Sequence, residues 1–296
     1  MRKTFIKTVL DYSINNPVPY LVTGDLGYSV LEEFQIAHPD KFINVGILEQ
    51  SMLSMSAGIS SQDKKVFAYS ISNFSTFRAL EQIRLDVAYH NLDVCVVGVG
   101  TGFQYGSAGY SHWAIEDLSA VSGIEKLRIF SPADPESMRN VVLDFLHNGG
   151  PTYFRIGKQS SNLKNIMDYK NIEKHVRLFG KGHNVFLSHG SIAFEILNSK
   201  HFDAKSHSLL VFDEIPNRID KNYFDIFAGA ESIKVLEDAV FSGSLGSRAA
   251  RFLVESKLNI KFDWVGVDGK NIKTAGGSEE FLRSRELGLN YIKNLF

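Results

Sequence analysis

Cys95 is the only cysteine in the chain, so no disulfide can close within it, and no cysteine–histidine cluster has the spacing of a metal site. Charge of one sign is also missing. Lys and Arg number 32 against 33 Asp and Glu, which leaves no net field to attract nucleic acid or an acidic membrane surface. Nothing approaches the ~18 consecutive apolar residues that a membrane-spanning helix requires. Near the start, Lys7 and Asp11 interrupt the apolar run too early for a signal peptide, which makes the cytoplasm the default location. No repeat of solenoid period occurs, and there is no low-complexity tract. What remains is a chain of 296 residues, 44% hydrophobic and 22% charged. That composition suits a globular protein with ample core, and the length suits two domains of ~100–200 residues each.

Short apolar strands alternate with amphipathic helices along the whole chain. Strands are expected at 20–23, 42–45, 65–70, 93–99, 127–130 and 152–156, and again at 184–188, 208–212, 232–237 and 262–267. Helices are expected at 3–14, 28–38, 74–90, 113–122, 135–147, 191–199 and 245–256, with a helical tail from Ser278. Asp93–Val99 is apolar throughout, as in a strand buried on both faces. The alternation predicts an α/β protein of two doubly wound domains with mainly parallel sheets. The expected boundaries are 1–160 for the first domain and 182–296 for the second. The polar, Lys- and Asn-rich stretch 161–181 is expected to be a linker.

The most informative segment is Phe42–Ser60. Phe42 to Val45 reads as a short buried strand and Gly46 as the break. Leu48, Met52, Met55 and Ile59 then recur at helical spacing. This puts the Glu49 carboxylate on a first helical turn at the carboxyl edge of a parallel sheet, where open α/β folds bind ligands. An acidic residue there can also serve only the helix dipole. Val97 to Gly102 follows a strand and is rich in glycine. It closes no G-x-G-x-x-G register, which argues against a dinucleotide site. Phe74 and Phe77 share a helix face, either as core residues or as a surface on which a flat heterocycle can stack. His112 follows the glycine-rich loop Gly106–Gly109. Ser242 to Ser247 opens a helix after a strand and could cradle an anion, although such glycines more often serve tight turns.

The order of these motifs resembles the transketolase family of thiamine pyrophosphate enzymes. Asn44-Val45-Gly46-Ile47-Leu48-Glu49-Gln50 is similar to the segment carrying that family's catalytic glutamate. The run from Phe74 to Arg84 is similar to the segment whose aromatics hold the cofactor's aminopyrimidine ring. Gly106 to His112 resembles the Gly-x-x-Gly-x-Thr-His segment, whose histidine contacts substrate oxygens. Ser131-Pro132-Ala133-Asp134 and Tyr153 to Lys158 match two further strand ends, and Glu237 to Gly246 matches more loosely. The resemblance implies Glu49 and His112 as catalytic residues. It implies Asp25, Glu49, Phe74 and Phe77 around the thiamine pyrophosphate, and Ser29, His112 and Lys158 on the substrate. Arg2 is a further candidate for a substrate phosphate. Glu49 would favour the imino tautomer of the pyrimidine, in a site where burial is expected to raise its pKa.

The family's pyrophosphate domain, with its metal-binding Gly-Asp-Gly and asparagine, has no counterpart here. The nearest echo is Gly266-Val267-Asp268-Gly269, at the wrong end of the chain. The resemblance therefore implies the pyrimidine-binding subunit of a split enzyme. Mg2+ or Ca2+ would be held by a pyrophosphate-domain partner chain, in an α2β2 heterotetramer. The reaction would move a two-carbon ketol or related acyl unit from a ketose or 2-oxoacid to an aldehyde or ketone. The alternatives are the β subunit of a 2-oxoacid dehydrogenase-type or deoxyxylulose-phosphate-synthase-like enzyme, and a non-catalytic scaffold. Ala108 stands where the family's loop carries a hydroxyl-binding aspartate, and Gly100 where it often has a phosphate-binding histidine. Those departures predict poor use of ordinary ketose phosphates.

Overall fold

The computed structural model describes residues 1–268, Gly277, Arg283, Leu287 and residues 291–296. Its strands are β1 (Tyr20–Thr23), β2 (Phe42–Asn44), β3 (Val66–Ile71), β4 (Val94–Val99), β5 (Arg128–Phe130), β6 (Thr152–Ile156), β7 (Tyr169–Glu173), β8 (Val176–Gly180), β9 (Asn184–Ser188), β10 (His207–Phe212), β11 (Glu214–Ile215), β12 (Ser232–Val240) and β13 (Lys261–Val267). They form two sheets. The first runs β11-β5-β6-β4-β3-β1-β2 and the second β13-β12-β9-β10-β8-β7. In the first sheet only β11 is antiparallel to its neighbour. In the second, β7 and β8 supply the antiparallel pairs. The chain is thus an α/β protein with two mainly parallel sheets.

The apolar run of β4 is buried residue for residue, and it sits at the centre of the first sheet with helices on both sides. One core packs the helix Arg2–Ser13 and the helix Pro135–Asn148 on one face, through Phe5, Val9, Phe67, Val97 and Phe145. The other face is covered by Met52, Leu53, Ala57, Ile83 and Val87. The helix Pro135–Asn148 starts where the sequence stops it fraying. Asp134 accepts from the Ser137 backbone N–H, Ser137 Oγ accepts from the Asp134 N–H, and Pro135 occupies the first turn.

Several expectations are corrected. Residues 161–181 are not wholly a linker, because β7 and β8 lie within them as an antiparallel edge of the second sheet. Edge position explains the polar sequence: in β7 the side chains of Lys170 and Asn171 face solvent. Phe42–Asn44 is a half-buried edge strand rather than a buried one. The helix expected over 74–90 is broken. Ala79 leaves the helical region at φ −122°, ψ 23°, and a π-helical stretch follows over Ile83–Tyr89. On the helix Glu49–Ser60 the buried face is Met52, Leu53 and Ala57, while Leu48 and Met55 are exposed. The tail expected to be helical from Ser278 falls mostly outside the described residues. Tyr291–Asn294 is helical.

The sheets are joined by buried polar side chains. Arg155, at the end of β6, donates to Asp117 (2.8 Å), to Asp238 of β12 (2.9 Å) and to the Ala114 carbonyl (2.8 Å). All three side chains are essentially inaccessible. His189, after β9, lies between Ser131 Oγ (2.9 Å) and Glu237 (3.2 Å). Glu237 in turn accepts from Ser244 Oγ and from the Leu245 and Gly246 N–H groups at the next helix start. Those glycine-rich residues therefore hold one of the protein's own carboxylates.

Candidate active site

β1, β2 and β3 end on the same edge of the first sheet, and the turn after β2 leads into the helix Glu49–Ser60. Asn44 pins that edge. Its Oδ1 accepts from the Asp25 N–H (3.0 Å) and the Gly46 N–H (2.9 Å), and its Nδ2 donates to Asp25 Oδ1 (3.1 Å). Gly46 has φ +74°, a conformation that glycine adopts without steric cost. Glu49 then begins the helix with its side chain only 3% exposed. Both of its oxygens accept from Arg78 Nη1 at 3.1 Å.

Arg78 extends the contact. Its guanidinium lies 4.0 Å from the centre of the Phe74 ring, as cation–π pairs do. The Phe74 ring meets the His112 ring edge-on, with centres 4.9 Å apart. His112 Nδ1 is 3.0 Å from Ser111 Oγ, and Asn73 Nδ2 donates to the Ser111 carbonyl (2.9 Å), which ties this loop to the helix Ser72–Phe77. Glu49, Phe74 and His112, far apart in sequence, thus form one continuous line of contact. Nearby, Ser70 Oγ is buried without a hydrogen-bond partner. A side chain at Gly24 would come within 4 Å of Ser70 Oγ and of Glu49 Cγ. A buried carboxylate, an aromatic ring, an orphaned hydroxyl and a glycine with no side chain to intrude suit the edge of a flat nitrogen heterocycle. Phe77 shares the helix with Phe74 but turns outward, 47% exposed.

Asp25 is exposed at the loop after β1 and accepts from Tyr28 (3.2 Å). Ser29 and Lys158 are brought together with Arg2 in a cavity of about 430 Å³. Lys3 lines it too, along with Thr4, Tyr28 and Ser160. The lining has three cationic side chains and no carboxylate, so it is fitted to an anion. The Lys158 ammonium is anchored by the Gln104 carbonyl (2.6 Å) and lies 5.5 Å from the Tyr105 ring centre.

The loop between β4 and His112 is held from the second sheet. Gly102 and Ala114 exchange backbone hydrogen bonds, and the Ala114 carbonyl is the one that accepts from Arg155. A side chain at Gly102 would overlap the Asp238 carboxylate. Val240 N–H donates to the Ile115 carbonyl (2.9 Å), and Trp113 Nε1 to the Gly106 carbonyl (3.1 Å). At the loop's far end Glu116 is pushed up from the ordinary carboxylate range by burial. It accepts from Tyr110, whose phenol that bond pushes up to about 12.

Sequence reasoning missed Arg78, Ser70, Tyr105 and Arg155. For Arg78 a signal existed, since an arginine four residues after Phe74 on a helix falls beside that ring. The others become visible only when distant strands are brought together.

Residues 15–164 match the family described as "Transketolase, pyrimidine binding domain". With that match spanning half of the chain, the protein belongs to the transketolase pyrimidine-binding family, and thiamine pyrophosphate is the cofactor of the class. Among its relatives, a subunit of the apulose-4-phosphate transketolase of Actinobacillus succinogenes is 26% identical over 262 residues, 87% of this chain and 84% of that one. A "Putative transketolase C-terminal section" of Methanocaldococcus jannaschii is 27% identical over 297 residues, 96% of this chain and 90% of that one. The fold is that of a solved structure described as "Split gene transketolase, inactive beta4 tetramer", at a TM-score of 0.82 and 24% identity, covering 99% of this chain and 96% of the other.

Proposed function

We propose that the chain is the pyrimidine-binding subunit of a split, thiamine pyrophosphate-dependent transketolase-like transferase, active only with a partner chain. The observation that carries this reading is the line of contact from the buried Glu49 carboxylate through Arg78 and Phe74 to His112. When bound, the cofactor supplies a carbon nucleophile for a carbonyl and a sink for the electron pair left behind. The residues of this chain do the rest. Glu49 holds a proton shared with a ring nitrogen of the pyrimidine. Phe74 and the outward Phe77 bracket the ring, and Asp25 with Asn44 fixes the loop that borders it. Ser70 Oγ is free to bond a polar edge. His112 gives or accepts a proton at the substrate oxygen whose charge changes, the ordinary role of a half-exposed imidazole. Lys158 and Ser29, with Arg2, hold the anionic end of the substrate.

A further feature supports a partner chain. Ile47, Leu48 and Phe77 are exposed beside Glu49, and Met55 and Leu85 are exposed on the adjoining helical segments. Surface of that kind, beside a candidate site, marks an interaction face. We assign the diphosphate and its Mg2+ or Ca2+ to a pyrophosphate-domain partner, in an α2β2 assembly in the cytoplasm. Relatives named as one subunit or as a C-terminal section of a transketolase agree with that arrangement.

The test is reconstitution. The purified chain is mixed with the pyrophosphate-domain chain, thiamine pyrophosphate and Mg2+, and ketol transfer is followed. Activity is expected from the mixture and from neither chain alone. Turnover by the single chain, or an inactive mixture that nonetheless assembles, defeats the reading.

A further inference from the structure

The line of contact around Glu49 and the basic cavity around Lys158 are joined by one side chain that neither motif reasoning nor the family match assigns. Tyr105 precedes the turn Gly106–Ala108. Its ring centre is 6.5 Å from that of His112, edge-on at 70°, and 5.5 Å from the Lys158 ammonium. The imidazole and the ammonium can therefore be no further apart than those two separations combined. The ring takes the space that a side chain at Gly100 would fill. Gly100 has φ +83°, and a side chain there would overlap the ring at Cε2 and Cδ2. The neighbouring turn offers Ala108, with no polar side-chain atom, near this wall.

We propose that Tyr105 is a specificity-determining residue, whose ring is the wall a substrate must lie along between the His112 end and the Lys158 cavity. It favours short anionic carbonyl compounds whose carbon facing the ring bears no hydroxyl. This rests on the functional reading above and deepens it. If the anionic group is held at Lys158 and the reacting carbonyl at His112, the carbon between them faces an aromatic ring. A methylene packs there without loss. A hydroxyl facing the ring gives up its water, and neither Gly100 nor Ala108 carries a polar side-chain atom to replace it. An unpaired buried hydroxyl costs enough for about tenfold discrimination or more.

The experiment uses a matched pair of acceptors, D-glyceraldehyde 3-phosphate and 3-oxopropyl phosphate, which differ only in the hydroxyl beside the aldehyde. With the assembled two-chain enzyme, kcat/KM is expected to favour the deoxy compound by about tenfold or more. Tyr105→Phe keeps that ratio, because the wall remains. Tyr105→Ala brings it close to one, whatever happens to the absolute rates. Binding of the same two compounds to the full chain, measured by calorimetry without turnover, should show the same preference and the same loss in Tyr105→Ala. A ratio unchanged by Tyr105→Ala, or a wild-type preference for the hydroxylated compound, overturns the proposal. If binding shows the Tyr105-dependent preference while the assembled enzyme transfers to neither compound, the functional reading fails and the wall stands. If binding shows no preference, the wall fails whether or not transfer occurs.

Discussion

Arg78 reaches both oxygens of Glu49 through a single nitrogen at 3.1 Å while its flat guanidinium covers the Phe74 ring at 4.0 Å. One side chain thereby sets the orientation of two others. A lysine could supply the charge but not the plane. Arg78→Ala is expected to lower kcat of the assembled enzyme by about tenfold or more through lost orientation, with Arg78→Lys recovering little. Full recovery in the lysine variant would show that only the charge matters.

Glu49→Gln removes the shared proton and keeps the shape. The chain should fold and assemble as before, with circular dichroism and complex stoichiometry unchanged. Turnover should fall by about 10²–10⁴-fold, the usual worth of a positioned acid–base group, with the loss in kcat rather than KM. A variant within a few-fold of wild type would remove Glu49 from the mechanism.

Gly100 and Tyr105 should be coupled energetically. Gly100→Ala forces a Cβ into the Tyr105 ring and keeps an alanine at φ +83°, so it should cost about 1–3 kcal/mol of unfolding free energy. In the Tyr105→Ala background the steric part vanishes and only backbone strain remains. Urea titration of the four proteins measures the cycle, and strict additivity would mean the ring does not press on Gly100.

Asp238→Asn weakens two ion pairs, to Arg155 and to Arg283, while leaving both arginines charged. The expected loss is about 3–5 kcal/mol, as when one partner of a buried pair is removed. Differential scanning calorimetry of the full chain checks this. An unchanged Tm would mean that Asp117 alone satisfies Arg155.

Acid should destabilise the fold in a defined window. Burial tends to raise the pKa of Asp134 and Asp238, but Arg177 outweighs it at Asp134, and Arg155 with Arg283 does so at Asp238. Both therefore end below the ordinary carboxylate range. Burial is likewise outweighed at Glu237, by His189, and at Asp144, by His175 and Lys174. With the folded pKa below the unfolded one, each contributes stability that is complete above the ordinary carboxylate pKa, and that is lost as pH falls from there through the depressed value. Asp213 and Glu116 run the other way, since burial leaves their pKa values raised. Four groups against two predict a urea midpoint that is level above about pH 5 and declines below about pH 4. A level midpoint down to pH 3 would contradict the assignment.

The parallel strands were legible because burial on both faces writes itself as an unbroken apolar run, as in Val94–Val99. Edges write no such signal. The polar edge strand β7 and the two-residue edge strand β11 went unread, and with β7 went its inner neighbour β8. Apolar spacing also does not record where one residue leaves the helical region, so the break at Ala79 was invisible. Within the candidate site, side chains that begin a helix or follow a glycine loop could be found from the sequence, and Glu49, Phe74 and His112 do meet. Arg78 left a local trace, four residues after Phe74, but Tyr105 and Arg155 act by crossing between elements, which depends on which strands become neighbours and is encoded by no local pattern.

β11 pairs antiparallel with β5 through Glu214–Phe130 and Ile215–Ile129, and so closes the outer margin of the first sheet with a piece of chain from beyond residue 200. A fragment ending near residue 160 would present Arg128–Phe130 as an open margin with unpaired backbone groups, the kind that recruits foreign strands. It would also strand Arg155 without Asp238. The pyrimidine-binding half, however self-contained its motifs look on paper, should be insoluble when expressed alone. Attempts to dissect this enzyme are better made by substitution than by scission.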